Sequence, residues 1–197
     1  MPRERHRIVE SDILPEAEYE ERRKRLRADA IAMKKLRRIE VGPFATFHFE
    51  NYGTMWLQVQ EMLRIEKGGK EQIAGELEAY NPLIPQGREL IATVMLEIED
   101  AARRDKVLRT LGNIEDSAFL DLDGERIEAA PTEYEDRTTP DGKTSSVHWL
   151  RFCFTPEQIA KFRDGKGQAV LGFSHPNYSH MAVISPQIRA ELAGDFG

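Results

Sequence analysis

Val147-His148-Trp149-Leu150-Arg151-Phe152-Cys153-Phe154 is the stretch whose reading decides the fold. It is rich in aromatic and branched residues, the types that fit a pleated surface. Alternation puts Val147, Trp149 and Cys153 on one face and Leu150, Phe152 and Phe154 on the other. A half-wet strand would carry polar residues at every second position. Apolar groups on both faces predict an interior strand covered on both sides. The same pattern predicts a buried, unreactive Cys153 and sets His148 and Arg151 on opposite faces of the sheet.

Tight strand pairs flank this segment. Residues 38–50 alternate around Gly42-Pro43 and read as two strands joined by a turn. Residues 118–129 read as a hairpin turning at Asp123-Gly124, a pair suited to a type I′ turn. Residues 168–173 and 180–184 read as a last pair around Ser174–Ser179, and 91–98 as a further strand. The polar run 132–143 reads as a mobile surface loop.

Helical periodicity fills the gaps. Tyr19, Leu26, Ala30 and Met33 form one stripe of a long helix ending near Arg38. Thr54 caps a helix to about Lys67, stopped by Gly68-Gly69. A helix from about Lys70 to Ala79 leads to the turn 80–87. Shorter helices are expected over 101–111, after Thr155-Pro156 and after Ser185-Pro186. The order predicts an α+β fold, a largely antiparallel sheet with flanking helices and a long N-terminal helix. A single domain over 1–197 is expected, with 1–10 a flexible tail.

At 197 residues the chain can bury a core without a disulfide, and its lone cysteine favours a reducing compartment. No window approaches the roughly 18 apolar residues of a membrane span. A cytoplasmic protein without membrane contact is the expectation. The net charge of −6 is uneven: residues 1–40 carry +3 and the remainder −9, and 22–38 holds nine basic residues and one acid. The bulk of the chain repels nucleic acid, and the basic segment has only Tyr19 nearby as a stacking platform, so nucleic acid is not the expected partner.

Candidate chemistry is sparse. Gln60, Glu61 and Arg64 gather on one side of their helix, able to bind a polar ligand or position a proton. His48 and Glu50 share a strand face, while His175 and His180 flank the last turn. None of these has the spacing of a recognised metal motif, so no metal site and no cofactor are assigned. Asp121-Leu122-Asp123-Gly124 lacks the later ligands of a calcium loop and reads as a turn.

Gln60-Glu61-Met62-Leu63-Arg64 and Tyr80-Asn81-Pro82-Leu83-Ile84-Pro85 resemble a bacterial family, the domain-of-unknown-function 3501 family. Ser146–Phe152 and His175-Pro176-Asn177-Tyr178 extend the resemblance to most of the chain. It implies an association with oxidative stress or anaerobic redox metabolism, and it carries no activity. The recurrent polar positions that it implies fall at Glu61, Arg64, Tyr80, Asn81, His148, Arg151, His175 and Tyr178.

The resulting expectation is an accessory protein whose polar pocket binds a small anion or serves a redox protein. Arg64 and Arg151 would hold negative charge, one of His148 and Arg151 would enter, and Tyr80, Asn81 and Tyr178 would orient the ligand. One alternative is an enzyme, with or without the help of a metal, in which Glu61 or a histidine, His175 the candidate, acts as general base. Another is a structural subunit docking through the basic helix, which leaves a homo-oligomer open.

Overall fold

The computed structural model describes residues 6–132 and 137–197. Eight strands form one sheet: β1 (Arg38–Val41), β2 (Ala45–Phe49), β3 (Glu89–Leu96), β4 (Ala118–Leu122), β5 (Glu125–Pro131), β6 (Val147–Cys153), β7 (Ala169–His175) and β8 (Tyr178–Val183). Their order is β1-β2-β3-β6-β5-β4-β7-β8, every neighbouring pair antiparallel. β6 is an interior strand between β3 and β5, as its two apolar faces predict.

The sheet curls into a nearly closed barrel, bringing the edge strands β1 and β8 together. Gly42 makes that approach possible. A Cβ there would lie 2.6 Å from the His180 ring, and its φ of +70° suits glycine. Curling leaves little open edge, the usual liability of a sheet.

The interior is aromatic. Phe47 lies 5.1 Å from Phe173 and 6.4 Å from Phe152, centroid to centroid. Among the described residues six α-helices surround the barrel: α1 (Glu16–Lys35), α2 (Tyr52–Glu66), α3 (Gly69–Tyr80), α4 (Ala101–Leu108), α5 (Pro156–Asp164) and α6 (Pro186–Leu192). At one end, Phe162 of α5 and Phe196 after α6 meet Phe154 edge to face. At the other end, Leu108 of α4, Leu111 and Ile114 join the same core.

A second apolar cluster lies outside the barrel wall. Tyr52, Met55, Trp56 and Val59 of α2 pack with Tyr19 and Ala30 of α1 against the outward faces of Ile91 and Trp149. Thus α1 and α2 cover one side of the sheet, and β6 is lined on both faces as expected. Cys153 is an exception, for it stands exposed at the end of β6. The outer helical layer ends before that position, so the strand's alternation could not place the thiol.

Local signals explain the boundaries. Asn51, not Thr54, caps α2: its side chain accepts from the Thr54 amide at 3.0 Å, and the Thr54 hydroxyl accepts from the Asn51 amide at 2.9 Å. Asp123 and Gly124 take φ of 52° and 84°, the left-handed pair of a type I′ turn. β7 and β8 run longer than the sequence predicts, pairing His175 with Tyr178 around a two-residue turn. Of the expected loop 132–143, residues 133–136 lie outside the described residues, and Thr138 pairs with Thr144 beyond them.

Of the expected N-terminal tail, residues 1–5 lie outside the described residues. Ile8 is fully buried, and the Asn81 side chain acts as a surrogate peptide group toward it. Asn81 accepts from the Ile8 amide at 2.7 Å and donates to its carbonyl at 3.0 Å. The other end of α1 is fixed by Arg37, which is 1% exposed, donates to the carbonyls of Phe49 and Glu50, and pairs with Asp195. Among the described residues no helix is long and apolar enough to cross a membrane.

Candidate functional site

The eight polar residues expected to share one pocket are divided by the barrel wall. His148, His175 and Tyr178 belong to one end of the barrel, where β6 begins and β7 turns into β8. Glu61, Arg64, Tyr80 and Asn81 stand in the outer helical layer, and Arg151 points outward toward it, its Nη2 3.4 Å from the Pro82 carbonyl.

Each barrel-end residue is committed to the fold. The Tyr178 hydroxyl donates to the Val41 carbonyl and accepts from the Phe44 and Ala45 amides, which uses all its hydrogen-bonding capacity. His175 Nδ1 accepts from the Asn177 amide at 3.1 Å, so its Nε2 carries the proton and donates to the Gly112 carbonyl, also at 3.1 Å. That histidine has no free nitrogen to act as a base. His148 is 2% exposed, with Nε2 2.9 Å from the Ser145 carbonyl and Nδ1 3.5 Å from Glu115, beyond hydrogen-bond length. Burial pushes its pKa down to about 4, so the ring is neutral near pH 7.

Glu61 is equally occupied. Arg23 of α1 grips it with two hydrogen bonds of 2.8 and 2.7 Å, and the Tyr19 hydroxyl donates to it at 2.5 Å. The guanidinium, aided by the tyrosine, pulls its pKa down to about 2. A carboxylate so stabilised is a poor general base at neutral pH. Its role is to clamp α1 to α2.

Cavities open in the outer layer, and two of them bear on the polar residues. The larger, about 620 Å³, lies beside the N-terminal segment and α3. Three of its polar residues are spent on that segment: Asn81 on Ile8, Gln86 on the His6 and Ile84 carbonyls, and His6 on the Pro85 carbonyl.

The smaller cavity, about 410 Å³, opens between residues 10–16, α2 and α3. Ile13, Leu14, Leu63 and Ile73 give it apolar walls. Gln60 and Arg64 line it from one face of α2, and Lys67, the residue that ends that helix, follows at i+7. Lys70 at the start of α3 joins them, and Glu10 and Glu16 line the cavity from the segment that precedes and begins α1. Arg64 is paired with Glu20. Lys67 and Lys70 form no ion pair among the described residues. Gln60 is 2% exposed, and its side-chain nitrogen has no hydrogen-bond partner among the described residues.

Of the residues singled out from sequence, the structure therefore brings Gln60 and Arg64 to one cavity and turns Glu61 away from it. Lys67 and Lys70 were missed, although the i+7 spacing from Gln60 to Lys67 carried the signal. The pair His48 and Glu50 shares the outer face of β2, where Glu50 accepts from the Thr93 hydroxyl at 2.8 Å. Among the described residues no group of three or more His, Cys, Asp or Glu side chains is placed to hold a metal ion.

Comparison with known proteins bears on the whole chain. Residues 7–196 match the sequence model of a family described as "Protein of unknown function (DUF3501)". A crystal structure of a novel protein of unknown function from Burkholderia pseudomallei K96243 is similar to it, with 36% identity and a TM-score of 0.89. The similarity covers 96% of this chain and 99% of that one. Among curated proteins none matches.

Proposed function

From the premise that this chain belongs to the DUF3501 family of proteins of unknown function, we propose that it binds a small anion with an apolar body in the cavity between α2, α3 and residues 10–16. The observation that carries this reading is the cavity lining itself. Apolar walls bury a hydrocarbon, while two lysines with no carboxylate partner among the described residues line the same cavity. The size of about 410 Å³ falls in the range of small-molecule sites, roughly 300–1,000 Å³. Glu10 and Glu16 also line the cavity and repel an anionic head, which is therefore favoured at Lys67 and Lys70.

Medium-chain carboxylates titrated into the protein test this reading by calorimetry. Saturable one-site binding is expected, weakened about tenfold in a Lys67→Glu/Lys70→Glu double variant, which is about 1.4 kcal/mol. Equal affinity in the variant, or tighter binding of free amino acids, would replace an anion site with another chemistry.

A second reading, docking of an acidic partner, is favoured by one observation. Only Tyr19 and Ala30 of the twenty residues in α1 are buried, and its outward face presents Lys24, Arg25 and Lys35 around the exposed Ile31. Sedimentation over a range of concentration and salt reads any self-association that this face supports, which would weaken as salt rises.

A further inference from the structure

We infer that the ligand of this cavity is a hydroxylated carboxylate, its hydroxyl seated against Gln60 and its carboxylate at Lys67 and Lys70. The inference rests on the anion reading and goes further, because it names the second polar end of the molecule.

Gln60 is the observation that carries it. A side-chain amide buried to 2% exposure with an unpartnered nitrogen is costly, and leucine or methionine would fill the same place on α2 without that cost. The Tyr19 hydroxyl on the cavity wall donates to Glu61, and among the described residues the Gln60 nitrogen makes no hydrogen bond to its oxygen or to any other acceptor. Gln60 is therefore an unused polar function in an otherwise apolar part of the cavity.

Its position sets the length of the ligand. Gln60 on α2 and Lys67, the residue that ends it, are seven residues apart, about 10 Å along the helix axis. Leu63 and Arg64 lie between them, Arg64 paired with Glu20, and Ile13, Leu14 and Ile73 form the other walls. The lining thus offers a neutral amide at Gln60, apolar walls and, among the described residues, unpaired cations at Lys67 and Lys70. A matching ligand has a neutral hydrogen-bonding group, a hydrocarbon spacer and an anionic head. A hydroxyl suits the neutral end better than a carbonyl does. It can accept from the amide nitrogen, and it can donate to the amide oxygen with the carboxamide turned over.

The test compares octanoate with its terminally hydroxylated analogue on the full chain by calorimetry. The hydroxylated acid should bind about three- to tenfold more tightly, the gain of one net hydrogen bond. Gln60→Leu should erase that preference, so that both acids bind it with equal affinity. Because the amide has no partner in the fold, Gln60→Leu should also melt no lower than the parent protein, and Gln60→Met is the second variant if the first does not fold. Octanoate binding as tightly as the hydroxylated acid, or a preference that survives both substitutions, overturns the hydroxyl assignment and leaves the anion site standing. No binding of either acid overturns both.

Discussion

The Tyr178 hydroxyl donates to the Val41 carbonyl oxygen at 2.8 Å, across 137 residues of chain, and so fastens the first strand of the barrel to the last. The Tyr178 hydroxyl oxygen also accepts from the Phe44 and Ala45 amides at 2.8 and 2.9 Å. The ring stands 6.0 Å from Phe44 and 5.8 Å from Phe173. One side chain thus replaces part of the ladder that β1 and β8 would form if the barrel closed fully.

Tyr178→Phe keeps the ring and removes the fastening. It leaves two backbone amides and one carbonyl at the seam without that partner. A loss of about 2–4 kcal/mol is expected from urea unfolding, with little change in far-ultraviolet dichroism. A loss below about 0.5 kcal/mol would show that the seam is held by packing alone.

Arg37→Leu removes a buried guanidinium that binds two backbone carbonyls and Asp195. The substitution strands a buried carboxylate, so a cost of about 3–5 kcal/mol is expected. Adding Asp195→Leu should recover part of it. A double variant no more stable than the single one would contradict the coupling.

Acid should destabilise the protein through His148. Its native pKa of about 4 lies below the ordinary 6.5, so between these values the unfolded chain binds the proton and the native chain does not. The contribution is fully present above pH 6.5 and is lost as pH falls toward 4, by at most about 3 kcal/mol. Glu61 behaves similarly at lower pH: its contribution is present above 4.5 and lost as pH falls toward 2. Stability of a His148→Gln variant should therefore be flatter than that of the parent from pH 6.5 to 4, and an unchanged slope would rule this out.

Cys153 should react in the native protein. Its side chain is exposed at the end of β6, so a thiol reagent should label it under native conditions, at a rate close to that in denaturant. Labelling that waits for unfolding would restore the buried cysteine read from the strand pattern.

The paired strands, the type I′ turn at Asp123-Gly124 and the long helix α1 were legible in the sequence because their causes are local. Alternation, turn chemistry and the 3.6-residue stripe act over a few residues. Even the capping of α2 erred only by three residues, since Asn51 and Thr54 cap each other.

The site was legible only in part. Gln60 and Arg64 were visible as one helical face, but Glu61 beside them faces Arg23, a partner 38 residues away that no local pattern announces. The polar residues of the family-like motifs were read as one pocket, although Tyr178, His175 and His148 do their work inside the barrel end and Asn81 does its work outside.

What the sequence by itself determined was the set of strands and helices and which residues alternate with which. Only the tertiary structure decided which side of each strand became the inside. That choice belongs to barrel closure, through Tyr178 and the glycine at 42, and to the placement of α1 and α2 over one part of the wall. Both are contacts between residues far apart in the chain. The free energy that selects them comes from burying whole faces at once, and no single segment carries it.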